Sequence, residues 1–273
     1  TSIEIVRFLE QLEPSLLRRS AGKKIPLIIQ KSPDSIVRQF LRALYDCEGS
    51  VHPKKYAVEI SSASRDLIEE LKIMLLRFGI IGFINAKEKY AANTPARIRR
   101  IYYELVIYGE QTDAFAQYLG FSIPEKQEKL DRLCRSGKKH NTNTDIIPNV
   151  GKVLTALRKT TGLYQRELGI PRGTYLHYEL GDRNPSRESF RRVVRQLKEK
   201  SMQLNNLVHV LEELSQAEVF WDKVVEISPV PADCAYVYDF QVEEVHNYVA
   251  NAIIVHNSQL LKRISRVAPK ARF

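Results

Sequence analysis

The run Tyr236–Ser258, near the C-terminal end, constrains the chain more than any other stretch. Its apolar residues form two β-like runs, and among them stand Asp239, His246 and the closing triplet His-Asn-Ser at residues 256–258. A packed core does not require two imidazoles, an amide and a hydroxyl so close together, whereas a site that rearranges covalent bonds does. The run therefore predicts a β-rich portion that ends in a reactive junction.

Length and composition are those of an intracellular protein with several small domains. The 273 residues are enough for two or three separate cores, and the apolar (44%) and charged (27%) fractions are ordinary. No run approaches the roughly 20 apolar residues of a membrane span. Cys47, Cys134 and Cys234 are scattered and form no CxxC pair, which favours a reducing, cytoplasmic location and argues against a zinc site. Because the chain begins at Thr1 and not at Met, we expect it to be a piece of a longer polypeptide.

Charge is strongly segregated along the chain. Residues Lys152–Lys200 include 12 basic and 5 acidic side chains, whereas Glu213–Asn257 include 1 basic and 8 acidic ones. The tail, Ser258–Phe273, has 5 basic residues and no acid. A basic block within a folded segment favours a polyanion surface and a location near the nucleoid, although a solvated helix face is the simpler alternative.

The first half of the sequence alternates between helical and extended patterns, which predicts an α+β fold. The predicted helices are Ile3–Leu17, Ser35–Tyr45, Ser64–Phe78 and Gln111–Leu119, the predicted strands are Tyr56–Ser61, Ile80–Ala86 and Ile101–Tyr108, and Lys24–Ile29 is a short extended link.

Within that half, the run LRALYDCEG at Leu41–Gly49 resembles the nine-residue motif of the LAGLIDADG homing endonucleases. Five positions match in residue type: Leu41, Leu44, Asp46, Glu48 and Gly49. The resemblance implies that residues 1–135 form the second αββαββα half of such an endonuclease. It also implies double-stranded DNA, an allele of the host gene without the insert, as the partner. The alternative is an ordinary helix that ends in acidic residues before a glycine.

The same resemblance assigns a role to Glu48. The acidic residue before the final glycine faces DNA and binds a divalent metal in the family, so Glu48 is expected to hold Mg²⁺ that activates water. Arg42 stands where the family has alanine and weakens the match at the helix interface. A single-chain enzyme of this family needs two such nine-residue motifs, and this sequence contains one. We therefore expect the first motif upstream. Basic residues that could neutralise phosphate, or protect strand edges, are Lys54, Lys55, Lys87, Lys89, Arg97, Arg99 and Arg100.

Residues 136–212 are interpreted as a linker followed by a DNA-recognition module. Arg132–Thr144 is polar and rich in turn residues, and a helix is expected at Val150–Leu157. The segment that follows resembles a Cro/repressor-type helix-turn-helix, with a Gln-Arg-Glu-Leu helix, a turn at Gly169 and a second helix at Pro171–Leu180. The resemblance implies base contacts by Arg172, Thr174, Tyr175 and His177 and phosphate contacts by Arg187, Arg191 and Arg192. The alternative is a small helical bundle that only bridges two domains.

After a helix at Leu204–Leu214, residues 213–257 are predicted to be all-β. The alternating patterns indicate strands at Val219–Ile227, Ala235–Glu244 and Tyr248–Val255, with Pro229 and Pro231 breaking the first. This portion contains the reactive junction.

The junction is suited to peptide-bond rearrangement. Asn257 can cyclise when its side-chain nitrogen attacks its own carbonyl, an intramolecular reaction that fixed geometry accelerates. His256 is placed to polarise that carbonyl, His246 can donate or accept the proton, and the Ser258 hydroxyl can accept an acyl group. Asp239 could tune the environment of that nucleophile.

Together these residues resemble the C-terminal splicing motifs of an intein. The resemblance implies a Hint-type splicing fold, autocatalytic cleavage without a cofactor, and Ser258 as the first residue of the downstream host. The N-terminal nucleophile is absent, so C-terminal cleavage is expected and complete splicing is not.

The last 16 residues, SQLLKRISRVAPKARF (258–273), resemble the segment after the Walker A lysine in archaeal minichromosome maintenance (MCM) helicases. The resemblance implies that Ser258 later binds the Mg²⁺ of ATP in a spliced, hexameric helicase. No Walker A sequence is present, so this chain is not expected to hydrolyse ATP. The alternative for the whole chain is a non-catalytic helix-turn-helix regulator of DNA.

Overall fold

The computed structural model describes residues 2–12, 14, 19–90, 99–136, 144–200, 205–229, 240, 242–250 and 252–256. The chain divides into two compact units, Thr1–Lys223 and Val224–Phe273. Within the described ranges, no helix is both long and apolar enough to cross a membrane.

The first part of the larger unit is a mixed α+β domain. Its helices are α1 (Ile3–Leu12), α2 (Leu27–Gln30), α3 (Asp34–Glu48), α4 (Arg65–Leu76), α5 (Glu110–Tyr118) and α6 (Pro124–Arg135). Its strands are β1 (Gly49–Val51), β2 (Ala57–Ser62), β3 (Phe83–Tyr90) and β4 (Arg99–Tyr108). The mixed α+β class predicted for this half is confirmed.

The four strands form one antiparallel sheet in the order β1-β2-β4-β3. Side chains alternate between its two faces. One face packs on the helices through Val58, Ile60, Leu105 and Ile107. The opposite face, called here the outer face, presents residues of the other parity, such as Glu104. The register that places Asn85 and Ser61 beside Glu104 fixes which side chains meet on this face.

Helix ends in this domain follow from local chemistry. The Ser64 hydroxyl accepts a hydrogen bond from the Leu67 amide and caps α4, while Pro124 begins α6 at a position that needs no amide donor. Helix α3 buries Val37, Leu41 and Tyr45 on one stripe. Because Leu41 and Tyr45 of the LRALYDCEG run belong to this stripe, that run is anchored in the core.

A bundle of four helices completes the larger unit. It contains α7 (Gly151–Thr161), α8 (Arg172–Leu180), α9 (Arg187–Lys200) and α10 (Asn205–Gln216), with a short 3₁₀ turn at Gln165–Glu167. Its core is separate from that of the first domain and includes Leu154, Tyr175, Phe190 and Leu197. A Cβ at Gly151 would lie 2.3 Å from the Tyr178 carbonyl oxygen, so α7 and α8 can meet only because this residue is glycine.

Several predicted elements need correction. The extended link expected at Lys24–Ile29 ends in α2, and α6 extends to Arg135 within the predicted linker. The Gln-Arg-Glu-Leu helix is only a 3₁₀ turn, because the loop is too short for two helical turns. The segment Val219–Ile227, predicted to be a strand, has no regular structure, because alternation alone does not determine strand pairing and none of the described strands pairs with it.

In the smaller unit, the described residues form a two-stranded hairpin of β5 (Asn247–Ala250) and β6 (Ile253–His256). The single strand predicted at Tyr248–Val255 is wrong, because the chain reverses direction near Ala252, whose φ is +63°. Of the strand predicted at Ala235–Glu244, residues 235–239 and 241 lie outside the described residues, and Glu243 and Glu244 are in a turn.

Candidate functional site

Glu48 is the last residue of α3 and is exposed to solvent. Gly49 begins β1 directly after it, so the helix turns into the outer edge strand without a loop. A Cβ at Gly49 would approach the Tyr45 side chain to 2.5 Å and its carbonyl oxygen to 2.8 Å. Only glycine fits here, and the turn therefore holds Glu48 at a defined place beside the sheet.

The charged neighbours of Glu48 in the same helix are turned toward their own domain. The Arg42 Nε donates to the Leu119 carbonyl oxygen at 2.8 Å and so caps the end of α5. Asp46 accepts from the Ser122 amide at 2.9 Å. Arg42 and Asp46 therefore both have hydrogen-bond partners within their own domain.

The described residues fit one part of a metal site. The Glu48 carboxylate offers an oxygen ligand of the kind Mg²⁺ prefers. Among the residues that the structure describes, no three His, Cys, Asp or Glu side chains are grouped to hold a metal ion. A Mg²⁺ ion at Glu48 would therefore need further ligands.

The outer face of the sheet presents a cationic group built on a buried acid. Glu104 on β4 has a side chain only 7% exposed, and it pairs with Lys87 and, at 3.2 Å, with Lys89 of the neighbouring β3. Burial alone would raise the pKa of Glu104, but its bonds to the two ammonium groups outweigh burial and lower the pKa below the ordinary value. Because two cations meet one anion, the group has a net positive charge.

Aromatic side chains occupy the other end of the outer face. Phe83 and Tyr108 lie 6.2 Å apart between ring centroids, and the Lys55 ammonium lies 6.0 Å from the Tyr108 ring. Phe220, in the segment after α10, meets Phe83 edge-on at 6.4 Å. The segment after the helical bundle thus contributes a side chain to the outer face.

The remaining predicted phosphate contacts of this domain are distributed along the same sheet. Lys54, Arg99 and Arg100 are exposed, and Arg99 lies 3.6 Å from Glu88. Arg97 lies outside the described residues.

In the helical bundle, a buried ion pair fastens α7 to α8. Arg158 donates to Glu179 through Nε at 2.6 Å and through a second nitrogen at 3.3 Å, and Gln165 donates to the same carboxylate at 2.7 Å. The hydrogen bond to Glu179 raises the pKa of Arg158, which keeps the pair charged. The 3₁₀ turn and both helices are thereby held in one arrangement.

Three of the four predicted base contacts are accessible on α8. Arg172 is exposed, and Thr174 and His177 are half-buried. The His177 Nδ1 lies 2.8 Å from an Asp182 carboxylate oxygen. Tyr175 is wrong as a DNA contact, because it is fully buried and its hydroxyl donates to the Leu154 carbonyl oxygen at 3.3 Å.

The predicted phosphate contacts on α9 also separate into two kinds. Arg191 and Arg192 are exposed, with Arg191 donating to the Ser215 carbonyl oxygen and Arg192 pairing with Glu188. Arg187 is wrong as a phosphate contact, because it is buried and pairs with Asp145 at 2.7 Å. Its guanidinium also donates to the carbonyl oxygens of Leu214, in the last turn of α10, and of Ala217 and Val219, which follow that helix.

In the smaller unit, the hairpin brings two predicted catalytic residues together. Asn247 pairs with His256 in register, and the rings of His246 and His256 lie 6.3 Å apart. The His246 Nδ1 lies 3.0 Å from the Val242 carbonyl oxygen. Asp239, Asn257 and Ser258 lie outside the described residues, as does the tail to Phe273.

Sequence reasoning missed Glu104, Arg158, Glu179 and Lys126, which the structure places at the centre of polar networks. In the sequence, Glu104 is notable only as an acidic residue within an apolar strand. The alternation of side chains places it on the same face of the sheet as Lys87 and Lys89.

Comparison with known proteins finds a family match for part of the chain. Residues 35–120 match the family described as LAGLIDADG-like domain. They include α3 except for its first residue, the whole sheet, α4 and α5.

Longer matches occur within proteins of different names. The chain is 27% identical over 250 residues to the glutamine–fructose-6-phosphate aminotransferase (isomerizing) of Methanocaldococcus jannaschii, which covers 90% of the chain and 21% of that protein. It is 27% identical over 260 residues to elongation factor 2 of Methanopyrus kandleri, and the match covers 94% of the chain and 19% of that protein. The chain is 29% identical over 269 residues to the replicative DNA helicase DnaB of Synechocystis sp., and the match covers 93% of the chain and 28% of that protein.

The chain thus spans less than a third of the length of each of these relatives. Residues 35–120, which contain the LRALYDCEG run and Glu48, are therefore similar to a LAGLIDADG-like domain.

Proposed function

We propose that the chain is part of an intein that contains a LAGLIDADG homing endonuclease. One observation carries the proposal. At least 90% of the chain is matched within an aminotransferase, an elongation factor and a helicase, yet it accounts for at most 28% of each. Proteins of such different names do not share an activity that this segment could supply. A mobile insert, which leaves its host by splicing, explains the distribution.

The outer face of the sheet is the proposed DNA surface. Lys87 and Lys89, held by Glu104, and Lys55, held over Tyr108, lie on this face and can neutralise phosphates. Glu48 lies at the end of the helix that leads into the edge strand of the same sheet. When bound, Mg²⁺ would activate water and stabilise the leaving 3′ oxygen, and Glu48 would supply one of its ligands.

A second motif helix of the same kind is the proposed partner of α3. Ile36, Ala43 and Cys47 are exposed along one stripe of α3, at spacings of seven and four residues. This stripe combines small and apolar side chains, as helices that approach closely require. The second helix would also bring a second carboxylate, which Glu48 needs in order to hold a metal ion.

The helical bundle is the proposed second DNA contact. Arg172, Thr174 and His177 on α8 face away from the bundle core and remain candidates for base edges, and Arg191 and Arg192 on α9 for phosphates. The excess of basic residues in Lys152–Lys200 supports this assignment.

DNA cleavage by the full-length intein tests the endonuclease. A duplex carrying the uninterrupted host site should be cut in the presence of Mg²⁺, and Glu48→Gln should abolish cutting while Glu125→Gln, at an exposed position of α6, should not. Cutting that persists in Glu48→Gln would remove Glu48 from the site. DNA binding by every variant without any cutting would instead favour the second candidate, a non-catalytic helix-turn-helix regulator, which the exposed arginines of α8 and α9 support.

The smaller unit is the proposed splicing site. The side-chain nitrogen of Asn257 attacks its own carbonyl carbon and closes a succinimide, while the bond to the Ser258 nitrogen breaks and that nitrogen takes up a proton. His256 polarises the carbonyl group. A carbonyl oxygen can only accept, so the His246 Nδ1 near Val242 carries a proton, and Nε2 is the atom proposed to exchange one with the junction. Asp239 tunes the surroundings of Ser258, whose hydroxyl accepts the upstream chain.

The proposed host is an archaeal MCM helicase. The tail Ser258–Phe273 resembles the segment after its Walker A lysine, so Ser258 would bind the Mg²⁺ of ATP after splicing. Splicing of a full-length precursor should yield a hexameric, Mg²⁺-dependent ATPase. A spliced product without ATPase activity would contradict this host.

A further inference from the structure

The C-terminal end of α3 leaves backbone carbonyl groups without partners inside the helix, as every helix end does. Lys126 of α6 supplies the missing donor. Its Nζ lies 2.7 Å from the Asp46 carbonyl oxygen, 2.6 Å from that of Gly49 and 3.4 Å from that of Tyr45. A positive charge at this end is also favoured by the helix dipole.

Asp46 of α3 in turn binds the backbone just before α6. One of its carboxylate oxygens accepts from the amide of Ser122 at 2.9 Å and lies 3.4 Å from the amide of Ile123, just before α6 begins at Pro124. Each helix therefore holds the other: a lysine of α6 satisfies the end of α3, and an aspartate of α3 binds the two amides that lead into α6.

Lys126 is committed to this place. Its side chain is half-buried, its ammonium lies 5.8 Å from the Phe121 ring, and the three carbonyl oxygens match the three N–H donors of an ammonium group. Lys129, three residues later on the same helix, is exposed and provides a matched comparison.

We propose that Lys126 is a positioning residue for Glu48. The Asp46 and Gly49 carbonyls that it holds lie on either side of Glu48 along the backbone, so one ammonium fixes the chain before and after the carboxylate. The bonds from the Ser122 and Ile123 amides to Asp46 hold the start of α6, and with it Lys126, against the same end of α3. This inference rests on the proposed endonuclease function, in which Glu48 must be placed to within a fraction of an ångström.

Replacement of Lys126 by Met in the full-length intein, with Lys129→Met as the control, tests the assignment. At saturating DNA and Mg²⁺, we expect single-turnover cleavage by Lys126→Met to be roughly ten to a hundred times slower. Its affinity for the duplex without Mg²⁺ should equal that of the wild type, and Lys126→Arg should recover part of the rate. Amide hydrogen exchange at residues 46–50, measured without metal or DNA, should be faster in Lys126→Met alone.

Several results would overturn the proposal. Unchanged exchange at residues 46–50 would show that Lys126 does not hold the end of α3. Faster exchange with an unchanged cleavage rate would show that the cap does not serve Glu48, and equal losses of rate and affinity would indicate general destabilisation. Failure of the proposed endonuclease function would look different. The wild type would then not cut DNA, and Glu48→Gln would behave like the wild type. The hydrogen-exchange comparison would still show whether Lys126 holds the end of α3.

Discussion

The ring of Phe220 meets that of Phe83 edge-on, with centroids 6.4 Å apart and planes inclined by 69°. Phe83 belongs to the outer face of the four-stranded sheet, and Phe220 follows a segment whose carbonyl groups are held by the buried Arg187 of the helical bundle. Val106, which pairs with Phe83 across the sheet, is only 2% exposed. The two parts that we assign to DNA are therefore tied together on the proposed DNA surface itself.

Phe220→Ala should loosen this tie. An aromatic pair contributes about 1 kcal/mol beyond its buried area, so we expect a small loss of stability. The affinity for a long duplex that reaches both the sheet and α8 should fall, while the affinity for a short duplex that reaches only one of them should not. Gel-shift titrations with both lengths check this. Trp221→Ala, at the neighbouring and more exposed residue, is the control, and an equal effect of both substitutions would contradict the tie.

The lysines held by Glu104 should contribute to the salt dependence of DNA binding. Each phosphate contact adds about 0.9 to the slope of log affinity against log salt concentration. Replacement of Lys87 or Lys89 by Ala should therefore lower the slope by about that amount, and Lys129→Ala should leave it unchanged. Fluorescence anisotropy of a labelled duplex at several salt concentrations gives the slope. Equal slopes for all variants would place the DNA elsewhere.

Glu104 should make stability depend on pH in one direction. Its pKa in the folded protein lies below the ordinary value of 4.5, so the charged form stabilises the fold above that value and the contribution is lost as the pH falls below it. We expect Glu104→Gln to be less stable than the wild type at neutral pH and to approach it in acid. Urea unfolding at pH 7 and at pH 3 measures the two differences. A difference that grows in acid would reverse the sign and refute the ion-pair account.

The Arg158–Glu179 pair should be important for the stability of the helical bundle. Glu179→Gln leaves a mostly buried guanidinium without its counter-charge, which costs about 3 kcal/mol in comparable sites. Glu188→Gln breaks only an exposed pair with Arg192 and should cost less than about 1 kcal/mol. Chemical denaturation of both variants tests this contrast, and similar losses would show that burial of the pair is unimportant.

Periodicity was sufficient for the elements that have a clear apolar stripe. Helix α4 and strands β2 and β4 occur close to their predicted positions, because each buries one regular set of side chains. Helix α6 was missed because it is almost entirely polar and anchors itself in the core through Leu130. The strand predicted at Val219–Ile227 was wrong because alternation of apolar residues does not determine strand pairing, and none of the described strands pairs with this segment.

The candidate site was predictable only where residue type alone indicates chemistry. Glu48 is placed by its motif, but the burial of Tyr175 and Arg187 depends on how four helices pack, which spacing does not specify. The pairing of Glu104 with Lys87 and Lys89 depends on the register of β3 against β4. The approach of His246 to His256 depends in the same way on the turn near Ala252.

The central claim, that the chain is part of a self-splicing element, is tested most directly by intact-mass measurement of the incubated protein. We predict that the wild-type chain loses Ser258–Phe273 and that Asn257→Ala keeps it, because cyclisation requires the Asn257 side-chain amide. His256→Ala should slow the loss. A wild-type mass that stays unchanged, even when an N-terminal intein segment is supplied in trans, would contradict the account.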